Sequence, residues 1–355
     1  MSPLLELNGL TVELPTSSGW VRPVNDVSLR IEAGECLGLV GESGSGKTML
    51  ALALMGLLPE GSRVKGEAWL AEKDELAAAN GAQKKSATNC RNLAVLAERD
   101  WRTVRGREIA MVFQEPMTSL NPVMRIGAQI DEAVRAHEAG LSERETRRRT
   151  LEAMRKASMN EPEARAEQFP HQLSGGLRQR ALIAMALATS PRLLIADEPT
   201  TALDVTVQKQ ILDLLDGLRR ELKLGLLFIT HDLGVVAQVA DRVAVMYTGR
   251  VVEEGTVHDV LGAPRHPYTQ GLLAASPKLE RGALRPIEGT VPQLTALPPG
   301  CPFEPRCPLR LPECAMAVPN LRHVSGDHRA RCVLVPETGM VTTVVPEFTT
   351  PKNRP

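Results

Sequence analysis

Apolar and polar positions alternate through "LLELNGLTVEL", residues Leu4–Leu14, which is the period of a half-buried strand. Three other runs are short and continuously apolar: "ECLGLV" (Glu35–Val40), "RLLIADE" (Arg192–Glu198) and "LGLLFITHD" (Leu224–Asp232). Runs of that kind suit strands buried on both faces, and the last two end on acidic or histidine residues, as parallel strands do where they leave the sheet. "GREIAMVFQ" (Gly106–Gln114) predicts one more strand. Residues 41–58 predict a Gly-rich loop and a helix. Residues 128–168, rich in Glu, Arg and Ala at helical spacing, predict a helical subdomain. Helices alternating with buried strands give an α/β fold with a mostly parallel sheet.

Two stretches interrupt this pattern. Residues 71–98 include the polar, Ala-rich "AAANGAQKKSATN" and predict a surface insertion. From about residue 285, Pro, Cys and Arg rise, as in "LPPGCPFEPRCPLRLPEC", which predicts a boundary between a domain over 1–284 and a smaller one over 285–335. Residues 336–355 are polar and Pro-containing and predict a flexible tail. No internal repeat is seen.

Lys+Arg and Asp+Glu both number 42 in the 355 residues. A net charge of zero argues against nucleic acid held by bulk electrostatics. No apolar run approaches the roughly 20 residues that span a bilayer. "MSPLLELNGL" lacks the basic start and long apolar core of a signal peptide. These features predict a cytoplasmic protein whose membrane role, if it has one, goes through a partner.

"GESGSGKT", Gly41–Thr48, has the phosphate-loop spacing and lies between a predicted strand and a predicted helix, the context the motif requires. Gly41, Glu42, Ser43, Gly44, Ser45 and Gly46 would wrap phosphates with backbone N–H groups. Lys47 would reach the β- and γ-phosphates, and Thr48 would offer a hydroxyl to Mg²⁺. At the end of "RLLIADE", Asp197 can hold the Mg²⁺ shell, and Glu198 can polarise a water for attack on the γ-phosphate. "LSGGLRQR", Leu173–Arg180, opens a strongly helical stretch with Ser-Gly-Gly. That is either a loose loop end or a second anion site, made by a Ser174 cap and the N–H groups of Gly175 and Gly176.

The order of these motifs decides between the two. "LSGGLRQR", lying between the phosphate loop and "LLIADE", resembles the signature of the ATP-binding cassette (ABC) family. The resemblance implies a phosphate-loop NTPase cassette: a mixed sheet core, an antiparallel β subdomain, a helical subdomain at about 115–180, and here a small Cys-containing C-terminal domain. It implies that two cassettes sandwich two ATP molecules, with Ser174, Gly175 and Gly176 covering the γ-phosphate bound by the opposite subunit. Gln114 in "MVFQEP" matches the glutamine loop that contacts Mg²⁺ or the attacking water and links to the membrane partner. His231 in "FITHD" matches the switch histidine at the γ-phosphate, and Asp204 in "TALD" the loop that communicates across the dimer. Trp20 stands at or beside the position of the aromatic that stacks on adenine.

"EPMTSLNP", "PTTALDVTVQ", "HDLGVVAQVADRVAVMYTGRVVEEG" and "HPYTQGLL" resemble the oligopeptide/dipeptide importer branch, over about residues 4–335. The stretch 71–98 is longer than that branch usually shows. The resemblance implies an ATP-hydrolysing subunit on the cytoplasmic face of the membrane. It would pair with a second, different cassette beneath two transmembrane permeases, supplied by an extracytoplasmic solute-binding protein, with no nucleic-acid partner. Sister importers for nickel, an opine or glutathione share the motifs. A non-transport cassette acting on ribosomes or DNA fits less well, because neither a second cassette nor a long coiled coil is present. A simple phosphate-loop GTPase or kinase would leave the signature and His231 unexplained.

Of six cysteines, Cys36 falls in a buried strand and Cys90 in the insertion. The other four, Cys301, Cys307, Cys314 and Cys332, cluster near the C-terminus with wider spacing than the usual zinc pairs. In a reducing compartment disulfides are not expected, and four thiolates can hold an iron–sulfur cluster. The peptide-importer resemblance implies a [4Fe–4S] site there; zinc and no metal are the alternatives. His323 and His328 nearby are expected on the surface.

Overall fold

The computed structural model describes residues 3–17, 19–72, 90–114, 119–138, 140–201, 203–276 and 286–336. The middle of the expected insertion (73–89) and the tail beyond residue 336 lie outside the described residues.

In chain order the strands are β1 (Leu5–Thr16), β2 (Gly19–Ile31), β3 (Cys36–Val40), β4 (Arg63–Ala71), β5 (Cys90–Asn92), β6 (Ile109–Val112), β7 (Leu193–Asp197), β8 (Gly225–Thr230), β9 (Arg242–Tyr247), β10 (Arg250–Thr256), β11 (Arg322–Ser325) and β12 (His328–Ala330). The helices are α1 (Lys47–Leu54), α2 (Glu98–Trp101), α3 (Ile126–His137), α4 (Glu143–Lys156), α5 (Pro162–Ala166), α6 (Gly175–Leu187), α7 (Val205–Leu222), α8 (Leu233–Val239), α9 (Val257–Gly262) and α10 (Pro267–Ala274). Among the described residues, no helix is long and apolar enough to cross a membrane.

Two sheets form. The smaller is antiparallel, in the order β2-β1-β4-β5. Within the stretch 71–98, Cys90–Asn92 thus forms an edge strand beside β4, and Leu93 is buried. The larger is mixed, in the order β11-β12-β10-β9-β3-β8-β7-β6. Its β9, β3, β8, β7 and β6 are parallel, and the remainder is added antiparallel.

Every residue of β3, β7 and β8 is buried, which is why these strands read as continuous apolar runs rather than alternating ones. Alternation survives as a choice of core. Leu193, Ile195, Leu227 and Ile229 face a core shared with α1 and the antiparallel sheet, with Leu5, Val24 and Leu50. Leu194, Ala196, Leu226 and Phe228 face the other, with Ile130, Met154, Ile183 and Leu212 from α3, α4, α6 and α7.

Parallel neighbours have one consequence for function: the carboxyl ends of β3, β8, β7 and β6 lie along one edge of the sheet. The pairings Val40↔Thr230, Asp197↔Ile229 and Val112↔Ala196 set them nearly level. The residues that follow those strands, Gly41–Thr48, His231, Asp197–Glu198 and Gln114, therefore meet at that edge.

The C-terminal segment continues the large sheet. β12 pairs with β10 through Glu253↔Ala330 and Glu254↔Arg329. His328, expected on the surface, is buried instead: its Nε2 lies 2.7 Å from Glu253 Oε1. Glu253 has no exposed surface and also accepts the backbone N–H groups of Arg265 (2.6 Å) and His266 (2.9 Å). A buried carboxylate needs such partners, and no hydrophobic period in the sequence announces them. His323 is exposed.

Candidate functional site

The phosphate loop leaves β3 and turns into α1 at Gly46, whose φ of 103° is in the left-handed region and whose hypothetical Cβ would lie 1.9 Å from the Pro23 carbonyl oxygen. Only glycine fits there. Ser45 N–H donates to the Glu42 carbonyl (3.2 Å), and the Ser45 carbonyl accepts from Gly249 N–H (2.8 Å), which pins the loop to the β9–β10 turn. Ser43 and Gly44 are exposed at its tip. Lys47 is buried and folds over the loop, donating to the carbonyls of Gly41 (2.7 Å) and Glu42 (3.0 Å) and to Ser45 Oγ (3.1 Å). Burial pulls its pKa below the ordinary lysine value, while Glu198, Asp197 and Glu42 act in the opposite sense.

Thr48 stands near the Asp197 carboxyl group and acts to lower its pKa. Asp197 is almost fully buried, and its Oδ1 has no hydrogen-bond partner among the described residues. Burial, reinforced by the charge of Glu198, raises its pKa, against Thr48 and Lys47. A buried carboxylate oxygen without a donor, beside a threonine hydroxyl, is a hard oxygen pair that suits Mg²⁺.

Glu198 follows directly, with φ 47°. That left-handed backbone costs a non-glycine residue of order 1 kcal/mol. One carboxylate oxygen, Oε2, accepts from Gln114 Nε2 (3.1 Å) and Thr201 Oγ1 (2.8 Å), and the other, Oε1, lies 3.1 Å from His231 Nδ1. Burial alone would raise the Glu198 pKa, but the hydrogen bonds from His231 and Thr201 outweigh it and hold the carboxyl group below its ordinary value. The side chain is thus kept ionised and oriented, with donors on both oxygens. Such a group can accept a hydrogen bond from a water and orient it.

The start of α6 is built differently. Ser174 is its N-cap, accepting from Leu177 N–H at 3.4 Å. A Cβ on Gly176 would lie 2.7 Å from Val207 Cγ1, and one on Gly175 3.4 Å from Leu203 Cδ2. The paired glycines let α6 approach the head of α7. Asp204 caps α7, accepting from Thr206 N–H (3.1 Å) and Val207 N–H (3.0 Å). Ser174, Gly175, Gly176 and Asp204 form one unit, outside the hydrogen-bond network of Glu198. Trp20 pairs with Pro15 across the β1–β2 hairpin, is 45% exposed, and carries the Arg63 guanidinium 3.9 Å from its ring centroid.

Cys301, Cys307, Cys314 and Cys332 line one small cavity, together with His266, Phe303, Leu309 and Pro319. All six cysteines are free. Among the described residues, no group of three or more His, Cys, Asp or Glu side chains stands in an arrangement that could hold a metal ion. Burial raises the Cys301 thiol, takes Cys307 to about 11 and Cys332 to about 12, and the neighbouring cysteines add to each shift.

Three contacts to the site were not foreseen. Thr201 sits three residues after Glu198, close enough that "EPTT" was a usable signal. Tyr268 Oη accepts the Glu42 N–H at 2.8 Å, and Arg306 binds the Glu42 carboxylate. Their separations of 226 and 264 residues leave no local trace in the chain.

A family model described as ABC transporter matches residues 24–201, and one described as oligopeptide/dipeptide transporter, C-terminal region, matches residues 252–314. The chain is 47% identical over 336 residues to oligopeptide transport ATP-binding protein OppD of Mycobacterium bovis, covering 94% of this chain and 52% of that protein, so it spans about half the length of that relative. It is 47% identical to OppD of Salmonella typhimurium, covering 89% of each chain. Among solved structures, a dimeric ATP-binding cassette in a post-hydrolysis state, bound to ADP and Pi, superposes with a TM-score of 0.59 at 27% identity, covering 71% of this chain and 98% of the other.

Proposed function

The chain belongs to the ABC transporter family, and from that premise we propose that it is the ATP-hydrolysing subunit of a prokaryotic importer for di- and oligopeptides. The observation that carries the reading is the convergence on Glu198 of donors from three separate segments, Gln114, Thr201 and His231, beside the Thr48–Asp197 pair. The match of residues 252–314 to the oligopeptide/dipeptide region, and the names of the relatives, support the solute class.

In this reading Gly41–Thr48 wraps the phosphates of ATP, and Lys47 exchanges its loop carbonyls for the β- and γ-phosphates. Thr48 and Asp197, with Gln114 on the water side, would hold Mg²⁺, which offsets phosphate charge when bound. Glu198 orients the attacking water and accepts its hydrogen bond. His231, within reach of Glu198, meets the γ-phosphate. Trp20 offers its free ring face to adenine. Ser174, Gly175 and Gly176, at an outward-facing helix start, complete the nucleotide site of a second, different cassette subunit, and Asp204 couples the two. Permeases and an extracytoplasmic solute-binding protein complete the assembly, with this subunit peripheral on the cytoplasmic side.

Cys301, Cys307, Cys314 and Cys332 would hold a [4Fe–4S] cluster, which would cross-link the C-terminal segment. Four soft donors around one cavity fit it in donor chemistry, although their described arrangement is not a ligating one. Iron and acid-labile sulfide in anaerobically purified protein test this part.

The functional test is uptake of labelled di- to penta-peptides, with nickel and glutathione as controls, in cells carrying the native chain or Lys47→Ala. Loss of peptide uptake alone is expected. Intact peptide uptake with loss of a control solute would move the chain to a sister transporter.

A further inference from the structure

The turn Glu304–Arg306 lies between Cys301 and Cys307, and it sends one side chain to the phosphate loop. Arg306 Nη1 is 2.7 Å from Glu42 Oε2, and Nη2 is 3.1 Å from Oε1, a two-pronged ion pair between residues 264 apart in sequence. The arginine side chain is only 3% exposed, the glutamate 29%. Burial of the guanidinium is supported on every side: Nε donates to the Glu288 carbonyl (3.0 Å), Nη2 to the Ile287 carbonyl (3.4 Å) and Nη1 to Tyr247 Oη (3.3 Å). The turn itself is tied down by Arg306 N–H to the Phe303 carbonyl (3.0 Å) and Cys301 N–H to the Cys314 carbonyl (2.7 Å).

Glu42 is therefore held at every polar group. Its N–H goes to Tyr268 Oη, its carbonyl accepts from Lys47 Nζ, and its carboxylate is gripped by Arg306. Glu42 is also near enough to Lys47 to oppose the fall in its pKa. A carboxylate in a loop that must receive a polyphosphate is a liability, because like charges repel. A buried, bidentate arginine removes that liability and fixes the backbone that contacts the phosphates.

We propose that Arg306 is a positioning residue of the phosphate loop, through which the C-terminal cysteine-bearing segment takes part in nucleotide binding. This rests on the reading of Gly41–Thr48 as an ATP-phosphate loop. Arg306 acts in two ways: it orients Glu42, and it masks the negative charge of Glu42. The cavity lined by the four cysteines adjoins the same turn, so a shift in the Cys301–Cys307 loop carries Arg306 with it.

The test is calorimetric titration of the full chain with MgATP in a Glu198→Gln background, with thermal melting recorded for each variant. Arg306→Ala is expected to weaken binding about tenfold, the scale of a lost charge-assisted pair. Arg306→Lys keeps the charge without the fork and is expected to weaken it roughly threefold. Adding Glu42→Gln to Arg306→Ala should recover most of the loss, because the unmasked charge is then gone. Should Arg306→Ala fail to fold, Arg306→Gln with and without Glu42→Gln gives the same comparison. Binding within about twofold of the parent in folded Arg306 variants, or a double variant no better than the single, overturns the proposal. A lowered melting temperature at unchanged affinity does so too, since it would reduce Arg306 to a structural contact. A parent chain that bound no MgATP would overturn the phosphate-loop reading and the coupling together, whereas a binding parent with insensitive Arg306 variants overturns the coupling alone.

Discussion

Gln114, Thr201 and His231 all bond to Glu198 within a single chain, while Ser174 at the head of α6 bonds to its own helix at 3.4 Å and leaves the helix start facing outward. Both regions are suited to phosphate chemistry, one through a loop and carboxylates, the other through a helix N-terminus. The first is held by contacts between strand ends that the parallel sheet forces together. The second is shaped by what lies behind it: Gly176 packs on Val207, and Asp204 caps the helix that carries Val207. An internally bonded cluster is a site already assembled, whereas a well-packed helix start with an open front has nothing seated before it, and in the proposed function that front is where a second cassette subunit would bring its nucleotide.

Substitutions on either side can separate the two. The largest effect is expected from Gly176→Leu, whose side chain would enter the space of Val207 and push α6 off α7. Steady-state ATP hydrolysis of the assembled transporter should fall on the order of 100-fold, with MgATP affinity of the isolated subunit retained. An equal loss of affinity in the isolated subunit would break the distinction. Next comes Thr201→Val, which removes a donor to Glu198 Oε2. Turnover should fall about tenfold, and the acid limb of its pH profile should move to higher pH, because the carboxyl group then rises toward its ordinary value. The stability sign follows from the same shift. A carboxylate depressed in the folded state contributes stability that is present above its unfolded pKa and lost as pH falls through its folded one. The stability gap between native and Thr201→Val should therefore narrow as the solution is acidified through that window, which chemical denaturation at several pH values would reveal. The smallest effect is that of Asp204→Ala, a lost cap costing about 1 kcal/mol of stability in a denaturant titration. If Asp204→Ala kept native stability, its two hydrogen bonds to Thr206 and Val207 would not be what holds α7.

Much of this was legible in the chain because it is local. The phosphate loop needs glycine at a left-handed position between a strand and a helix, and the spacing of "GESGSGKT" states that directly. The buried strands were visible as apolar runs, and the residues just beyond them are those the sheet edge gathers. What was not legible is long-range. Arg306 and Tyr268 reach Glu42 across more than half of the chain, and neither belongs to a hydrophobic period or a short motif. His328 misled because a lone histidine in a polar stretch carries no mark of the buried Glu253 it meets. The paired glycines of "LSGGLRQR" were legible as a helix start, but their packing against Leu203 and Val207 depends on α7, which lies beyond the next strand.

The role of Glu198 is tested most directly by the pre-steady-state behaviour of Glu198→Gln with radiolabelled MgATP in the reconstituted transporter. Glutamine keeps the shape and can still meet Gln114, Thr201 and His231, but it cannot act as a carboxylate toward water. MgATP affinity should stay within about threefold of native, and the hydrolysis step should slow by a factor of roughly 100 to 1,000. Hydrolysis at the native rate would contradict that role, since the donors gathered on Glu198 would then serve the fold and not the reaction.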